Sequence, residues 1–267
     1  MSRRLTILAG SGALVPEIIN GAKAAGDKVQ VLPLVDRSDL GLTDKFGVAD
    51  LPRLIWRITS FRSTHVTMVG GLKASSSDRE AFKRFAGARG ASGDAALLKV
   101  AEKVLAMTGA KVVGAEAIVP EIVAGEGHLA GPGLEPELLA VAERAIGTAR
   151  AVGRLDLGQA VVVSPGRVIA VEDIAGTDAL LRRVASYRAE GLGSGEPWVL
   201  AKSLKPQQSR LVDRPAIGPE TIRNAAAAGI RVVAIEAGGA ILVDRAGIEA
   251  AAQAGGVSVI GVAGHGG

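Results

Sequence analysis

The sequence predicts an α/β protein with two domains, the first built on a Rossmann-like parallel sheet and the second on a mixed sheet. Two observations lead to this fold class. Short apolar runs alternate with amphipathic helical segments, and glycine-rich turns follow several of these runs. A third observation, the glycine- and proline-rich stretch over residues 124–137, predicts a boundary that gives domains 1–132 and 133–267.

The N-terminal half opens with the pattern of a βαβ unit. Leu5–Leu8 predicts a strand, Val15–Ala25 a helix and Val29–Leu34 a second strand. A parallel pair of strands needs a crossover of this kind. His65–Gly71 repeats the strand followed by glycine, and a helix with one apolar face is predicted to begin at Asp94.

The C-terminal half opens with an amphipathic helix over Pro136–Val152. A β-hairpin turning around Pro165 follows, and Gly176–Arg188 predicts a helix capped by Thr177 or Asp178. After a polar loop, the rest of the chain predicts a helix, two strands, a helix and a strand. Both halves are therefore expected to be α/β.

Composition narrows the classes of function. Aromatic residues make up only 3% of the chain, which argues against stacking on nucleic acid, and cysteine is absent, which excludes disulfides and thiolate metal sites. No run approaches the ~20 apolar residues of a membrane span, and the N-terminus lacks a convincing signal-peptide cleavage site. We expect a cytoplasmic protein. Its net charge of +4 suits an anionic ligand or an anionic membrane surface, and equally a protein with no such partner.

The turn LAGSGALVPE is the first candidate site. Gly10 and Gly12 lie between a strand and a helix, where main-chain N–H groups could meet an anion. Val15 stands where the dinucleotide fingerprint has its third glycine, while Asp36 is suitably spaced to meet a ribose hydroxyl. A nucleotide or phosphate site is one interpretation, and a tight turn without a ligand is the other.

The stretch LKPQQSRLVDRPAIG, residues 204–218, is the second candidate. Its two prolines favour a rigid, extended loop that presents polar side chains. Cations bind phosphate oxygens and a carboxylate binds a divalent metal or activates water, so this composition is typical of phosphoryl chemistry. A solvated charged loop is the alternative. The candidate residues are Lys202, just before this stretch, and Lys205, Gln208, Arg210 and Asp213 within it.

The segment VEDIAGTDALLRR is the third candidate. Glu172, Asp173 and Asp178 lie near the start of a predicted helix, where carboxylates often act as caps. The same carboxylates beside Arg182 and Arg183 could instead hold a divalent cation and a phosphate. Both interpretations remain open from these residues alone.

Six motifs, in order along nearly the whole chain, resemble those of the LpxI family, the UDP-2,3-diacylglucosamine pyrophosphatases of lipid A biosynthesis. The motifs are LAGSGALVPE, SGDAALL, VGRLDLGQAVVV, VEDIAGTDALLRRVA, AKSLKPQQSRLVDRPAIGPETI and GIRVVAIEAGGAILVD. The resemblance implies a two-domain, often dimeric, cytoplasmic enzyme that uses a divalent metal, Mg²⁺ or Mn²⁺. It also implies that Asp213, in VDRP, binds the metal or activates water, and that Lys205 and Gln208 contact the substrate.

The resulting hypothesis is metal-dependent hydrolysis of UDP-2,3-diacylglucosamine in a cleft between the domains, with Asp213 as catalytic residue and metal ligand. A homodimer and a transient contact with the inner-membrane surface are expected. Two alternatives stay open: a nucleotide-dependent oxidoreductase, and a non-catalytic binding protein for nucleotide sugars or lipid phosphates. Leu211, where the family loop commonly has an arginine, keeps the second alternative open. The residues predicted to contact substrate are Gly10, Gly12, Gln159, Glu172, Thr177, Asp178, Lys202, Lys205, Gln208 and Arg210.

Overall fold

The computed structural model describes residues 2–47, 50–71, 105–193, 195–205 and 214–264. The chain divides into two units, and it passes from the first to the second between Pro120 and Glu121. The predicted fold class is confirmed, since the first unit carries a parallel sheet and the second a mixed one. The helix predicted from Asp94 and the site residues Gln208, Arg210 and Asp213 lie outside the described residues.

In its described part, the first unit carries a parallel sheet of four strands. The elements are β1 (Arg4–Ala9), α1 (Leu14–Ala24), β2 (Lys28–Pro33), α2 (Leu51–Ser60), β3 (His65–Val69) and β4 (Lys111–Val112). The strand order is β2-β1-β3-β4, and α1 forms the crossover between β1 and β2. The predicted βαβ unit is therefore confirmed.

Helix α2 was not predicted, although its sequence carries a helical signal. Leu51, Leu54 and Ile58 recur at helical spacing and are buried in a cluster with residues of the sheet such as Leu32 and Val66. The burial of this face holds α2 against the sheet.

The described part of the second unit contains six strands in one mixed sheet and two in a short parallel pair. The strands are β5 (Gly127–Ala130), β6 (Ala160–Val163), β7 (Val168–Val171), β8 (Trp198–Lys202), β9 (Ala216–Ile217), β10 (Ile230–Glu236), β11 (Ile241–Leu242) and β12 (Ser258–Val262). The mixed sheet has the order β5-β12-β10-β8-β6-β7, and β9 pairs with β11. Strands β8, β10 and β12 are parallel, while β5, β6 and β7 run antiparallel to their neighbours.

Helices cover both faces of the mixed sheet. They are α3 (Pro136–Arg154), α4 (Gly176–Ala189), α5 (Pro219–Ala227) and α6 (Arg245–Gly255). Alternate residues of one strand belong to different clusters: Val161 packs with α3, while Val162 packs in the cluster that includes residues of α4, α5 and α6. Burial on both faces explains why the central strands are continuous apolar runs.

Most predicted elements of this unit are confirmed, including the hairpin of β6 and β7 and the helix that begins at Pro136. The predicted caps of α4 are wrong: its N-cap is Ala175, and no side chain caps it. The division at Pro120 comes before the boundary expected after residue 132, because β5 pairs with β12 in the second unit. Within the described ranges, no helix is long and apolar enough to cross a membrane.

Candidate functional site

The candidate site lies at one edge of the mixed sheet in the second unit. The parallel strands β8, β10 and β12 all end at this edge, and ligands of α/β proteins bind beyond such carboxyl ends. Strand β6 begins here, because Ala160 pairs with Lys202 at the end of β8. Strand β7 is antiparallel to β6 and therefore also ends here. The sheet topology therefore brings the residues that follow β7, β8, β10 and β12 close together at this edge.

Lys202 places a buried ammonium group at this edge. The residue is only 5% exposed, and its Nζ donates a hydrogen bond to the main-chain carbonyl of Ala216 at 3.1 Å. Burial lowers the pKa of Lys202 below its ordinary value, although the charges of Glu172 and Asp178 act in the opposite direction. Because an ion in such surroundings costs folding free energy, a perturbed group of this kind is typical of a functional site.

Glu172 is the buried carboxylate of the same cluster. Thr177 Oγ1 in the first turn of α4 lies 3.4 Å from its Oε2 and donates to it. Burial raises the pKa of Glu172 above its ordinary value, while Lys202 and a hydrogen bond from the main chain of Gln159 partly oppose that rise. A Cβ on Gly158 would lie 2.4 Å from the carbonyl oxygen of Glu172, so a glycine is required for this close approach of the two chain segments.

Lys205 provides a second cation, nearer to solvent. Its Nζ donates to Asp156 Oδ1 at 2.9 Å, and its stem lies against Gly153 at the end of α3. The Asp156 carboxylate is largely exposed, so this ion pair contributes little free energy, and the Lys205 side chain itself is 23% exposed.

Glu236, at the end of β10, is a site residue that the sequence analysis missed. Its Oε2 accepts hydrogen bonds from Ser203 Oγ at 2.5 Å and from the Leu204 main-chain N–H at 3.1 Å, and its Oε1 accepts one from Arg150 at 3.0 Å. Burial raises the pKa of Glu236, but the hydrogen bonds from Ser203 and Arg150 outweigh burial and hold it below its ordinary value. A glutamate directly after the apolar run VVAI was the available signal, because residues that end parallel strands face the ligand edge.

The structure brings six of the predicted site residues to this edge of the second unit. They are Gln159, Glu172, Thr177, Asp178, Lys202 and Lys205. Their contact with substrate stays a prediction. Asp178 acts on Lys202 through its charge, and the amide of Asn224 lies 3.5 Å from one of its carboxylate oxygens.

Gly10 and Gly12 belong to the first unit, where the turns after β1 and β3 touch. The Gly10 N–H donates to Val69 O at 2.8 Å, and Ser11 and Gly71 exchange two main-chain hydrogen bonds of 2.9 Å. A Cβ on Gly10 would lie 2.6 Å from the Gly71 oxygen, so packing of the two turns requires glycine there. This contact is a structural reason for the motif, and an anion at these glycines stays a prediction.

The carboxylate that an oxidoreductase would use for a ribose has a local structural role. Asp36 Oδ1 accepts a hydrogen bond from the Ser38 main-chain N–H at 3.0 Å, which forms a turn of the Asx type. The neighbouring Arg37 is buried, donates to Gly10 O at 2.7 Å and forms a bidentate pair with Asp39. These contacts account for the polar residues after β2 without a nucleotide.

The described residues do not by themselves fit a divalent metal. Among them, no three histidine or carboxylate side chains lie close enough together to hold an ion. Glu172 lies in the field of Lys202, and the oxygens of Glu236 accept hydrogen bonds from Arg150, Ser203 and Leu204. The predicted Mg²⁺ or Mn²⁺ therefore rests on Asp213 and on the family resemblance.

The fold and the site define a two-domain α/β protein that presents cations and buried carboxylates where its central strands end, a place suited to an anionic ligand. The chain belongs to the LpxI family: residues 4–122 match the LpxI N-terminal domain and residues 125–260 match the LpxI C-terminal domain. It is similar to the UDP-2,3-diacylglucosamine pyrophosphatase LpxI of Caulobacter vibrioides, with 35% identity over 274 aligned positions that cover 97% of this chain and 98% of the relative. The resemblance predicted from the motifs is confirmed.

Proposed function

We propose that this protein is a UDP-2,3-diacylglucosamine pyrophosphatase of lipid A biosynthesis, which releases UMP and 2,3-diacylglucosamine 1-phosphate. The observation that carries the proposal is the match along nearly the whole chain to a relative that bears this name. Both family domains match in order, so the similarity is not confined to a shared nucleotide-binding half.

The chemistry of the sheet edge supports this reaction. Hydrolysis joins the oxygen of water to the phosphorus on the uridine side, breaks the bridging P–O bond and leaves the electron pair on the sugar phosphate. Negative charge on the phosphoryl oxygens grows during this step, and preorganised cations in a buried site stabilise it strongly. Lys202 is such a cation, and Lys205 is a second one close to it in sequence.

Asp213 is the proposed catalytic residue, by its position in the family motif VDRP. A carboxylate there would accept the proton of the attacking water or bind the metal. When bound, Mg²⁺ or Mn²⁺ would neutralise charge on the pyrophosphate. The cofactor is proposed on the resemblance and not on the described residues.

Because the substrate is acylated, we propose a peripheral contact with the surface of the inner membrane. Leu155 and Leu157 lie in the connection that leads to the start of β6, and Ile174 follows the end of β7, so all three flank the candidate edge. Their side chains are largely or fully exposed. Sedimentation with vesicles that contain phosphatidylglycerol tests this contact. Leu157→Ser with Ile174→Ser is expected to weaken binding, whereas Val168→Ser, an exposed control at the other end of β7, is expected to leave it unchanged.

The homodimer is proposed on the resemblance alone. Light scattering on the purified protein is expected to give twice the chain mass of 27.0 kDa. A mass of one chain at micromolar concentration would contradict the dimer without bearing on the reaction.

UMP release from UDP-2,3-diacylglucosamine tests the proposed function directly. The wild-type protein and Asp213→Ala are compared with and without Mg²⁺ or Mn²⁺, in detergent that disperses the substrate. We expect metal-dependent turnover that the substitution abolishes. Wild-type protein that binds the substrate without turnover would instead indicate a binding protein.

A further inference from the structure

The residues that carry Lys202 and Lys205 are fastened to the end of β10. Ser203 is buried, its main-chain N–H donates to Gln159 O at 3.0 Å, and its hydroxyl donates to Glu236. The next residue, Leu204, donates its main-chain N–H to the same Glu236 oxygen at 3.1 Å. One carboxylate oxygen therefore fixes the short segment that lies between the two cations.

Glu236 is itself held in place from behind. Arg150 of α3 donates to its second oxygen at 3.0 Å, and both side chains are mostly shielded from solvent. A Cβ on Gly264 would lie 2.8 Å from Arg150 Nη2, so the chain after β12 also packs on this pair. A carboxylate fixed on both oxygens is a rigid anchor, because reorienting it would break charge-assisted hydrogen bonds.

The same part of the chain also fastens the residues that return to the sheet. Arg214 Nη1 donates to Gly238 O at 2.8 Å, and the Ile241 main-chain N–H donates to Pro215 O at 2.8 Å. The segment Glu236–Leu242 thus anchors residues 203–204 on one side and 214–217 on the other, the second through the pairing of β9 with β11. The bond from Lys202 Nζ to Ala216 O joins the two sides directly.

The ion pair between Lys205 and Asp156 is a weak constraint on the position of Lys205. The Asp156 carboxylate is largely exposed, and ion pairs of that kind contribute little free energy. The main-chain position of Lys205 follows from Leu204, whose N–H is bonded to Glu236 in a largely buried place. Loss of the Glu236 carboxylate would free this segment while leaving the ammonium of Lys205 chemically intact.

We propose that Glu236 is a positioning residue that acts through Ser203 and Leu204 to hold Lys205 where it binds the phosphate groups of the substrate. The inference rests on the proposed function and adds to it a residue that makes no contact with the substrate. The two glutamates at this edge therefore have different roles. Glu172 interacts electrostatically with Lys202. Glu236 fixes Ser203 and Leu204, which lie between Lys202 and Lys205.

Substrate affinity in a non-turning background tests the proposal. In Asp213→Ala protein, dissociation constants for UDP-2,3-diacylglucosamine are compared for Glu236→Ala, Lys205→Ala and both together. We expect Glu236→Ala to weaken binding about tenfold, the scale of a lost charge-assisted hydrogen bond. With Lys205→Ala already present, the same substitution is expected to add less than about twofold, because it acts through Lys205.

Two further variants separate positioning from general destabilisation. Glu236→Gln keeps an oxygen that accepts from Ser203 and Leu204 but turns an NH2 donor toward Arg150, so we expect it to restore part of the affinity. Asp27→Ala is the matched control, since Asp27 is a buried carboxylate in the first unit that accepts two hydrogen bonds from Arg3. It is expected to lower the melting temperature without changing affinity.

Hydrogen exchange of the Leu204 amide gives a readout that needs neither activity nor substrate. We expect faster exchange in Glu236→Ala and not in Asp27→Ala. An unchanged exchange rate of the Leu204 amide in Glu236→Ala would overturn the positioning role. So would a double variant whose loss of substrate affinity equals the product of the losses in Glu236→Ala and Lys205→Ala. Absence of binding by every variant, Asp213→Ala alone included, would instead contradict the proposed function.

Discussion

The buried carboxylate Glu172 should make the fold less stable at neutral pH, and replacing it should reveal this cost. Burial raises its pKa above the ordinary value of 4.5, so the folded state binds more protons than the unfolded state between the two pKa values. Stability therefore falls as pH rises through that window, and the whole cost is present above the folded pKa. Glu172→Gln mimics the protonated form and keeps an oxygen for Thr177 and the Gln159 main chain.

The direction of the effect follows from the pKa. Because burial raises the pKa of Glu172, removing the charge should stabilise the fold at a pH above both pKa values. We therefore expect Glu172→Gln to have a higher melting temperature than wild type at that pH. The positive charge of Lys202 lowers the pKa of Glu172, but burial raises it by more, so the net direction is upward.

Thermal unfolding of wild type and Glu172→Gln at pH 7.5 and at pH 4 checks this reasoning. The variant should be more stable at pH 7.5 and should lose most of this gain at pH 4, where the carboxyl is largely protonated in both states. UMP release should fall, because Lys202 loses the negative charge that opposes the lowering of its pKa. Stability and activity that move in opposite directions are the mark of a functional site.

A matched control is available on the surface of α6. Glu249 is exposed, and hydrogen bonds from Gln253 and from the Gly131 main chain hold its pKa below the ordinary value. Glu249→Gln is therefore expected to give no gain at pH 7.5. Equal destabilisation of Glu172→Gln at both pH values would refute the argument from burial.

Two further predictions concern single groups. Lys202→Met should reduce kcat for UMP release by about 10²–10³, the effect of removing one preorganised donor. Lys28→Met replaces an exposed lysine of β2 and should leave kcat unchanged. A kcat of Lys202→Met within threefold of wild type would show that Lys202 takes no part in the reaction. Gly10→Ala should lower stability by about 1–3 kcal/mol, because its Cβ would lie 2.6 Å from the Gly71 oxygen. Gly147 lies inside α3, and a Cβ there would meet open space, so Gly147→Ala should be neutral or stabilising by up to about 1 kcal/mol. Equal melting temperatures for Gly10→Ala and Gly147→Ala would contradict the packing role of Gly10.

Local patterns in the sequence predicted those elements whose characteristic residues lie close together in the chain. The βαβ opening, the hairpin around Pro165 and the helix from Pro136 are all of this kind. Strand β8 was missed because it is buried on both faces and lacks the alternation that marks a half-exposed strand. Strand β5 lies inside the stretch 124–137 from which a domain boundary was predicted, and no strand was predicted there because its place in the sheet depends on pairing with the distant β12.

The wrong cap of α4 has a physical cause of the same kind. The sequence offers Thr177 as a hydroxyl at the start of a helix, which favours a cap. In the fold this hydroxyl lies within the first turn and meets Glu172, and Ala175 is the N-cap. The sequence correctly indicated that the Thr177 hydroxyl makes a hydrogen bond near the start of the helix. Its partner is Glu172 because the fold brings this residue, which directly follows β7, close to the helix.

The sequence by itself determined the family, the α/β class and most of the residue types at the candidate edge, because these reside in motifs and local periodicity. Only the tertiary structure decided that Lys202, Glu172 and Glu236 meet at one edge, since strand register joins positions far apart in the chain. It also decided that Lys202 and Glu172 are buried while Lys205 is partly open to solvent. Burial sets the cost of a charge, and with it the pKa, and burial is a property of the packed fold that no short stretch of sequence contains.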